Sequence, residues 1–391
     1  MKISQRLSSV SQGGETGWEV FLRARAMMAA GTDVIELTIG EHDIRTHPSI
    51  LQAMATSAQG GHTGYALVPG TDALRDTVAQ RITDRTGVTT SRANVLITPG
   101  GQSALFAAHH ATCDEGDTAL YMDPYYATYP GTVRSVGAVP HPIPSRSRHA
   151  FLPQLDDLET AAPGAKSLLI NSPNNPTGVV YPQDTLEMIA GVCQRHDLWL
   201  ISDEVYDTQV WEGEHISPRA LPGMAERTLV VGSMSKSHAM TGSRCGWLVG
   251  PEQVIAYLTG LATHTTYGVP GFIQDASVFA INQGAPLEEE VAAPFRRRRA
   301  LAQSVLAQQN LLRMIPSQGA MYLMLDVRGT GLSGEDFANQ LLDHHHIAVM
   351  PGESFGDSAA GHIRVAMTIE DQAFADALQH LCDFAQGLIA E

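Results

Sequence analysis

The sequence predicts an α/β protein with a mainly parallel central sheet flanked by helices, plus a smaller α+β domain. Three observations carry this expectation. Through the middle of the chain, short apolar runs alternate with longer stretches of helical spacing, the pattern of strands joined by crossover helices. The last third abandons that alternation for long helical segments separated by brief strand-like runs. Finally, 391 residues exceed what one small core organises, so two domains are expected, one of them discontinuous.

The expected strands of the central sheet are NVLIT (94–98), TALYM (118–122), SLLIN (167–171), LWLIS (198–202), TLVVGSM (228–234) and CGWLVG (245–250). Between them Leu74, Val78 and Ile82 recur at helical spacing, as do Leu186, Ile189 and Cys193. A helical stretch around 286–310 then leads into AMYLMLDV, a helix at 335–345, short strands and a final helix from about 370. The expected boundaries are 46–285 for the larger domain, with 1–45 and 286–391 forming the smaller one.

Composition excludes several function classes. A formal net charge of −16 argues against nucleic acid as a partner, because sequence-independent binding needs a basic face. No stretch approaches the ~20 apolar residues of a membrane helix, and the start MKISQRLSSVSQGG has no apolar core of a signal peptide. Cys113, Cys193, Cys245 and Cys382 lie far apart with no C-x-x-C pair. No metal site or disulfide is expected, and the setting is expected to be reducing and cytoplasmic.

The chemistry gathers where three strands end. SLLIN runs into Ser172-Pro173-Asn174-Asn175-Pro176-Thr177-Gly178, LWLIS into Asp203-Glu204-Val205-Tyr206, and TLVVGSM into Ser235-Lys236. Ligands of open α/β sheets bind in the crevice beyond the carboxyl ends of the strands. Parallel neighbours would therefore bring an amide, a carboxylate, a phenol and an amine together. Thr98-Pro99-Gly100-Gly101-Gln102 ends a strand and opens a helix, whose bare N–H groups and dipole form an anion site. An amine for an imine, a carboxylate for a pyridine nitrogen and a cradle for a phosphate dianion together suggest pyridoxal 5'-phosphate. Arg244, eight residues after Lys236, can add a guanidinium fork to the phosphate.

At Ser233-Met234-Ser235-Lys236-Ser237-His238-Ala239-Met240-Thr241-Gly242-Ser243-Arg244-Cys245-Gly246-Trp247 the sequence resembles the class I signature of the aspartate aminotransferase superfamily, fold-type I. The resemblance extends over nearly the whole chain. It implies that Lys236 carries the cofactor, Ser233 and Arg244 hold its phosphate, and Gly101 and Gln102 add backbone amides. It implies Asp203 on the pyridinium nitrogen, Tyr206 and Asn175 on the ring's phenolic oxygen, and Tyr126 stacked on the ring. Tyr65, in Gly64-Tyr65-Ala66-Leu67-Val68-Pro69-Gly70, is implied to reach the phosphate of a neighbouring subunit, which makes the protein a homodimer. Arg364, in Gly361-His362-Ile363-Arg364-Val365, is implied to clamp the substrate α-carboxylate, with Gly40 and Asn175 beside it. ISDEVY, SKSHAMTG, YGVPGFIQDA and AAGHIRVA are similar to the arginine–pyruvate transaminase branch. Departures from the family pattern are His42 for Pro, Ile44 for Phe, Ser243 for Trp and Tyr126 for a frequent Trp.

These residues imply a ping-pong imine mechanism between an L-α-amino acid and a 2-oxo acid. Two other functions fit parts of the pattern. One is another pyridoxal-phosphate enzyme, such as a C–S β-lyase or decarboxylase. The other is a non-enzymatic regulatory relative, which would need a DNA-binding segment that the N-terminus does not display. No second arginine for a dicarboxylate is evident near Thr263–Tyr267, and His42, Ile44 and Tyr267 are the candidates for the side-chain pocket.

Other patterns carry structure instead. Gly329-Thr330-Gly331-Leu332-Ser333-Gly334 fits G-x-G-x-x-G, yet Ser333 with Asp336 reads as a helix-capping pair. Arg296–Arg299 is expected on a solvated or ion-paired face, His344-His345-His346 points three ways, and Cys113, Cys193 and Cys382 are expected as small core residues.

Overall fold

The computed structural model describes residues 1–11 and 18–390. Residues 12–17, which fall in the expected small-domain segment and the expected leaderless start, lie outside the described residues. The first strand is β1 (Ile35–Glu36). The central sheet comprises β2 (Val95–Thr98), β3 (Thr118–Asp123), β4 (Val139–Pro144), β5 (Ser167–Asn171), β6 (Trp199–Asp203), β7 (Thr228–Ser233) and β8 (Gly246–Val249). The later strands are β9 (Arg313–Met314), β10 (Tyr322–Asp326), β11 (Ile347–Ala348), β12 (Met350–Pro351) and β13 (His362–Ala366).

The central sheet has the order β2-β8-β7-β6-β5-β3-β4. Only β8 runs antiparallel to its neighbours β2 and β7; the other pairs are parallel. Both β5 and β7 are buried along their whole length, as expected when helices cover both faces. The two helical periodicities are core faces. Helix Asp72–Thr86 buries Leu74, Val78 and Ile82, opens with the Thr71 hydroxyl accepting from the Leu74 amide, and closes at Gly87 with φ +70°. Helix Gln183–Arg195 buries Leu186, Ile189 and Cys193. All four cysteines are buried and unpaired.

Each of the six apolar runs contains a strand, but β4 (VPHPIP) was outside them. Val139 N–H donates to Asp117 at 2.8 Å and Ser145 N–H to Asp123 at 2.7 Å, so the odd-numbered residues face β3. Pro140, Pro142 and Pro144 then point to the open edge, where no partner strand needs a donor.

The smaller part is built on the antiparallel sheet β12-β13-β10-β9. β1 pairs in parallel with β11, which joins the N-terminal segment to the C-terminal third. Leu37, Phe295, Leu325, Phe337 and Phe374 share its core. The first helix, Gln5–Val10, docks on a different part from β1. It rests against helix Tyr129–Ser135 of the larger part, with Arg134 donating to the Val10 carbonyl at 2.9 Å.

The arginine run is ion-paired, although two of its members leave the solvated face. Arg297 reaches Asp371 at 2.9 Å from an exposed position. Arg298 is buried and pairs with Asp43 at 2.6 Å and Asp371 at 2.9 Å; Arg299 is buried and pairs with Glu212 at 2.5 Å. Ser333 accepts from the Asp336 amide at 3.0 Å and caps helix Gly334–His345, so the G-x-G-x-x-G string is a helix entry. His345 packs edge-on against Phe384. Among the described residues, no cluster of His, Cys, Asp or Glu could hold a metal, and no helix is long and apolar enough to cross a membrane.

The sheet also constrains one residue just before Lys236. Gly232 of β7 lies opposite Trp247 of β8, and a Cβ there would sit 2.2 Å from Trp247 Nε1. Gly232→Ala is expected to lower the unfolding free energy by about 1–3 kcal/mol through overpacking. Chemical denaturation checks this, and an unchanged midpoint at unchanged slope contradicts it.

Candidate active site

Strands β5, β6 and β7 are consecutive parallel neighbours, and their register sets Asn171 beside Asp203 and Asp203 beside Val231. A cavity of about 390 Å³ opens beyond these ends, within the size range of small-ligand sites. Its far wall comes from the smaller part: Ile39, Gly40, Glu41, Tyr322 and Arg364.

Asp203 is buried at the floor. Its Oδ2 accepts from the Tyr129 hydroxyl at 2.7 Å and its Oδ1 from the Val205 amide at 3.3 Å. Burial pushes its carboxyl up to about 6, with neighbouring Glu204 acting in the same direction. Lys236 lies across the cavity, where its Nζ donates to the Gly40 carbonyl. Burial lowers its ammonium below the usual lysine value, which favours a free amine. The Tyr206 hydroxyl shares a 3.1 Å hydrogen bond with that of Tyr322. Burial first, then the second phenol, hold the Tyr206 phenol well above its ordinary value.

An anion site forms where helix Gly101–Thr112 begins. No side chain caps this helix, so its first N–H groups face the cavity. A Cβ on Gly100, whose φ is +80°, would lie 2.4 Å from Arg244 Nη2, so the glycine leaves the guanidinium its place over the helix end. Arg244 is held there by its donation to the Thr241 carbonyl at 2.8 Å. The Ser233 hydroxyl faces the same end and accepts from the Ser235 amide at 3.1 Å. The Gln102 side chain turns away to Thr132 at 2.7 Å, which leaves its main chain at the cavity.

Arg364 stands on β13 and is 1 % exposed. Its guanidinium carbon sits 4.4 Å from the centroids of both Tyr322 and Phe355. Nη1 donates to Asn175 Oδ1 at 2.8 Å and Nη2 to the Thr38 carbonyl, while the buried Nε has no partner. Asn175 is fixed in turn by its main-chain N–H, which donates to Asn171 Oδ1 at 2.8 Å. Gly40 is dictated by close approach, since a Cβ would fall 1.8 Å from the Tyr322 hydroxyl. Tyr126 lines the cavity edge-on to Tyr129, with centroids 5.8 Å apart.

The structure thus gathers Gly40, Gly101, Gln102, Tyr126, Asn175, Asp203, Tyr206, Ser233, Lys236, Arg244 and Arg364 around one cavity. Tyr65 is not among them. It is 92 % exposed and meets Tyr267 edge-on at 5.2 Å on the surface. The side-chain pocket differs from expectation: Ile44 and Tyr267 do not line the cavity, and His42 turns to the Lys236 carbonyl. Glu41 and Trp18 line it instead. Sequence reasoning also missed Tyr129, Asn171 and Tyr322. Asn171 carried a usable signal, since it closes SLLIN at the same strand end that Asp203 closes in the next strand; Tyr129 and Tyr322 carried none.

Comparison with known proteins follows the same lines. Residues 32–381 match the family model described as aminotransferase class I and II. The chain is 39 % identical to an arginine–pyruvate transaminase of Pseudomonas aeruginosa, covering all of both chains. It is 34 % identical to an aspartate/prephenate aminotransferase of Thermus thermophilus, covering 96 % of this chain and 97 % of that protein. Its fold superposes on a double mutant of Thermus thermophilus aspartate aminotransferase with a TM-score of 0.92 at 32 % identity, covering 99 % of each chain. With the fold-type I architecture, a match of this extent leaves one conclusion: the chain belongs to the class I and II aminotransferases.

Proposed function

We propose that this aminotransferase uses pyridoxal 5'-phosphate, bound in the cavity between the two parts, to move an amino group from an L-α-amino acid to a 2-oxo acid. The observation that carries this reading is a buried carboxylate, Asp203, sharing one cavity with the amine of Lys236 and the guanidinium of Arg364. The donor set fits the cofactor. A desolvated carboxylate seeks a cationic partner such as a protonated ring nitrogen. The uncapped helix end, with Ser233 and Arg244 beside it, suits a phosphate dianion.

When bound, the cofactor supplies a ring that stabilises negative charge on a carbon attached to its amine. Asp203, held by the Tyr129 hydroxyl, would keep the ring nitrogen protonated. Tyr206 and Asn175 would hold the phenolic oxygen, and Tyr126 would pack against the ring. Lys236 Nζ would be the attachment point. With its ammonium lowered by burial, the Lys236 amine would serve as the base that takes and returns the proton at the substrate Cα. Arg364, locked between two aromatic rings and Asn175, receives the substrate α-carboxylate in a fixed orientation.

The amino donor is read as arginine and the acceptor as pyruvate. The 39 % identical relative supports this reading. So does the cavity wall, whose lysine and two arginines already have roles while Glu41 and Trp18 offer a carboxylate and an aromatic face to a cationic side chain. The working form is read as a cytoplasmic homodimer in which exposed Tyr65 reaches the partner's phosphate. The four unpaired cysteines are consistent with a reducing compartment. The domain division is read as 46–285 against 1–45 with 286–391, the helix Gln5–Val10 docking on the larger part.

The direct test is borohydride trapping of the coloured protein followed by peptide mapping; a label on any lysine other than Lys236 ends the proposal. Lys236→Ala should lower turnover by at least the order of 10²–10⁴ expected for a lost positioned base, as measured by keto-acid formation. Arg364→Lys should raise KM for amino acids and keto acids alike by about tenfold, and an unchanged KM would point to another clamp.

A pH prediction follows from Asp203. Its carboxyl titrates near 6 when folded, above the ordinary 3.8, so the fold binds this proton more tightly than the unfolded chain does. Cofactor-free stability therefore falls as pH rises between these values. Asp203→Asn removes the penalty. Above pH 6 the cofactor-free variant should be more stable than the parent by up to roughly 3 kcal/mol, and by nothing near pH 3. Thermal unfolding across that range checks the sign.

A further inference from the structure

Segment 40–46, where the smaller part passes into the larger, meets segment 236–241 along a line of hydrogen bonds. Lys236 Nζ donates to the Gly40 carbonyl. The Thr241 hydroxyl donates to Glu41 at 3.3 Å and the Thr46 hydroxyl to the Ala239 carbonyl at 2.6 Å. His42 Nε2 lies 3.0 Å from the Lys236 carbonyl oxygen. A carbonyl oxygen only accepts, so Nε2 carries the hydrogen. The same oxygen also accepts from Gln209 Nε2 at 3.1 Å. Lys236 is therefore gripped at both ends by one short segment: Gly40 takes its amine, and His42 takes its main chain.

The grip is anchored from behind. Asp43, next to His42, accepts from Arg298 at 2.9 and 2.6 Å, and Arg298 itself is buried in helix Ala285–Leu306. The His42 ring packs edge-on against Phe295 of that helix, with centroids 5.4 Å apart. Its Nδ1 is buried without a partner, so the ring makes one hydrogen bond and spends it on Lys236. Burial keeps the imidazole neutral, down to about 3, and the neutral ring holds a single N–H.

We propose that His42 is a positioning residue for the transamination chemistry: its Nε2–H fixes the Lys236 main chain and thereby the reach of the lysine amine into the cavity. The proposal rests on the reading of Lys236 as the cofactor's attachment point. The side chain at 42 does not enter the cavity, so it acts through Lys236 and not on the substrate.

Two variants separate the hydrogen bond from the packing. His42→Phe keeps a ring against Phe295 and loses the N–H; His42→Gln keeps an N–H at the position of Nε2 and loses the ring. In the holoenzyme, His42→Phe should lower kcat about tenfold, the scale of one lost hydrogen bond, with KM for the amino donor changed less than about twofold. It should also shift the pH midpoint of the resting enzyme's visible absorbance by about half a unit. His42→Gln should recover most of both effects, and thermal unfolding should show both variants folded. A His42→Phe enzyme with parental kcat and parental midpoint overturns the proposal, as does a His42→Gln enzyme impaired as much as His42→Phe. If borohydride fails to label Lys236 in the parent, the parent reading falls; if labelling is intact and the variants are flat, only the role of His42 falls.

Discussion

Parallel pairing of β5, β6 and β7 leaves three consecutive chain ends in one crevice, and the register decides which side chains meet there. Asn171 stands beside Asp203 because the two strands are paired in step. A one-residue slip would turn Asp203 to the opposite face of the sheet. The carboxylate is tolerated in that buried place because Tyr129 and the Val205 amide hydrogen-bond to it. It nevertheless remains short of a charge partner, which is why its proton is held more tightly than in water. Stability has been spent on readiness at this point.

The smaller part completes what the strand ends begin. Arg364 lies on β13, opposite Met324 and Met350 of its neighbours, and its plane is set by two rings and two acceptors before any ligand arrives. An arginine restrained in this way loses little rotamer freedom on binding a carboxylate. The two parts meet through the segment around Gly40, where the Tyr322 hydroxyl leaves no space for a Cβ. Close contact at Gly40 and the hydrogen bonds from segment 40–46 to segment 236–241 together define that side of the cavity.

Much of this was legible in the chain before any coordinates. Short apolar runs locate six of the seven central strands, and period-3.6 spacing locates the Leu74–Ile82 and Leu186–Cys193 faces, because burial on a regular element forces those patterns. The residues that end strands were legible for the same reason. β4 was hidden, since alternate prolines suppress every ordinary strand signal while its inward-facing residues still pair. Tyr129 and Tyr322 were hidden because each meets its partner, Asp203 or Tyr206, only after more than seventy intervening residues have folded. Arg296 to Arg299 are equivalent as a run in the chain, and only helix orientation separates the buried Arg298 and Arg299 from the exposed Arg296 and Arg297.

The odd edge strand has a meaning for the molecule in a crowded solution. The rim beyond β4 presents pyrrolidine rings where an ordinary outermost strand presents a row of amide hydrogens. A stray extended peptide arriving at that rim finds acceptors but no ladder of donors to zip onto. The seven-stranded sheet therefore terminates chemically at its own border, and one copy cannot template growth onto the next from that side.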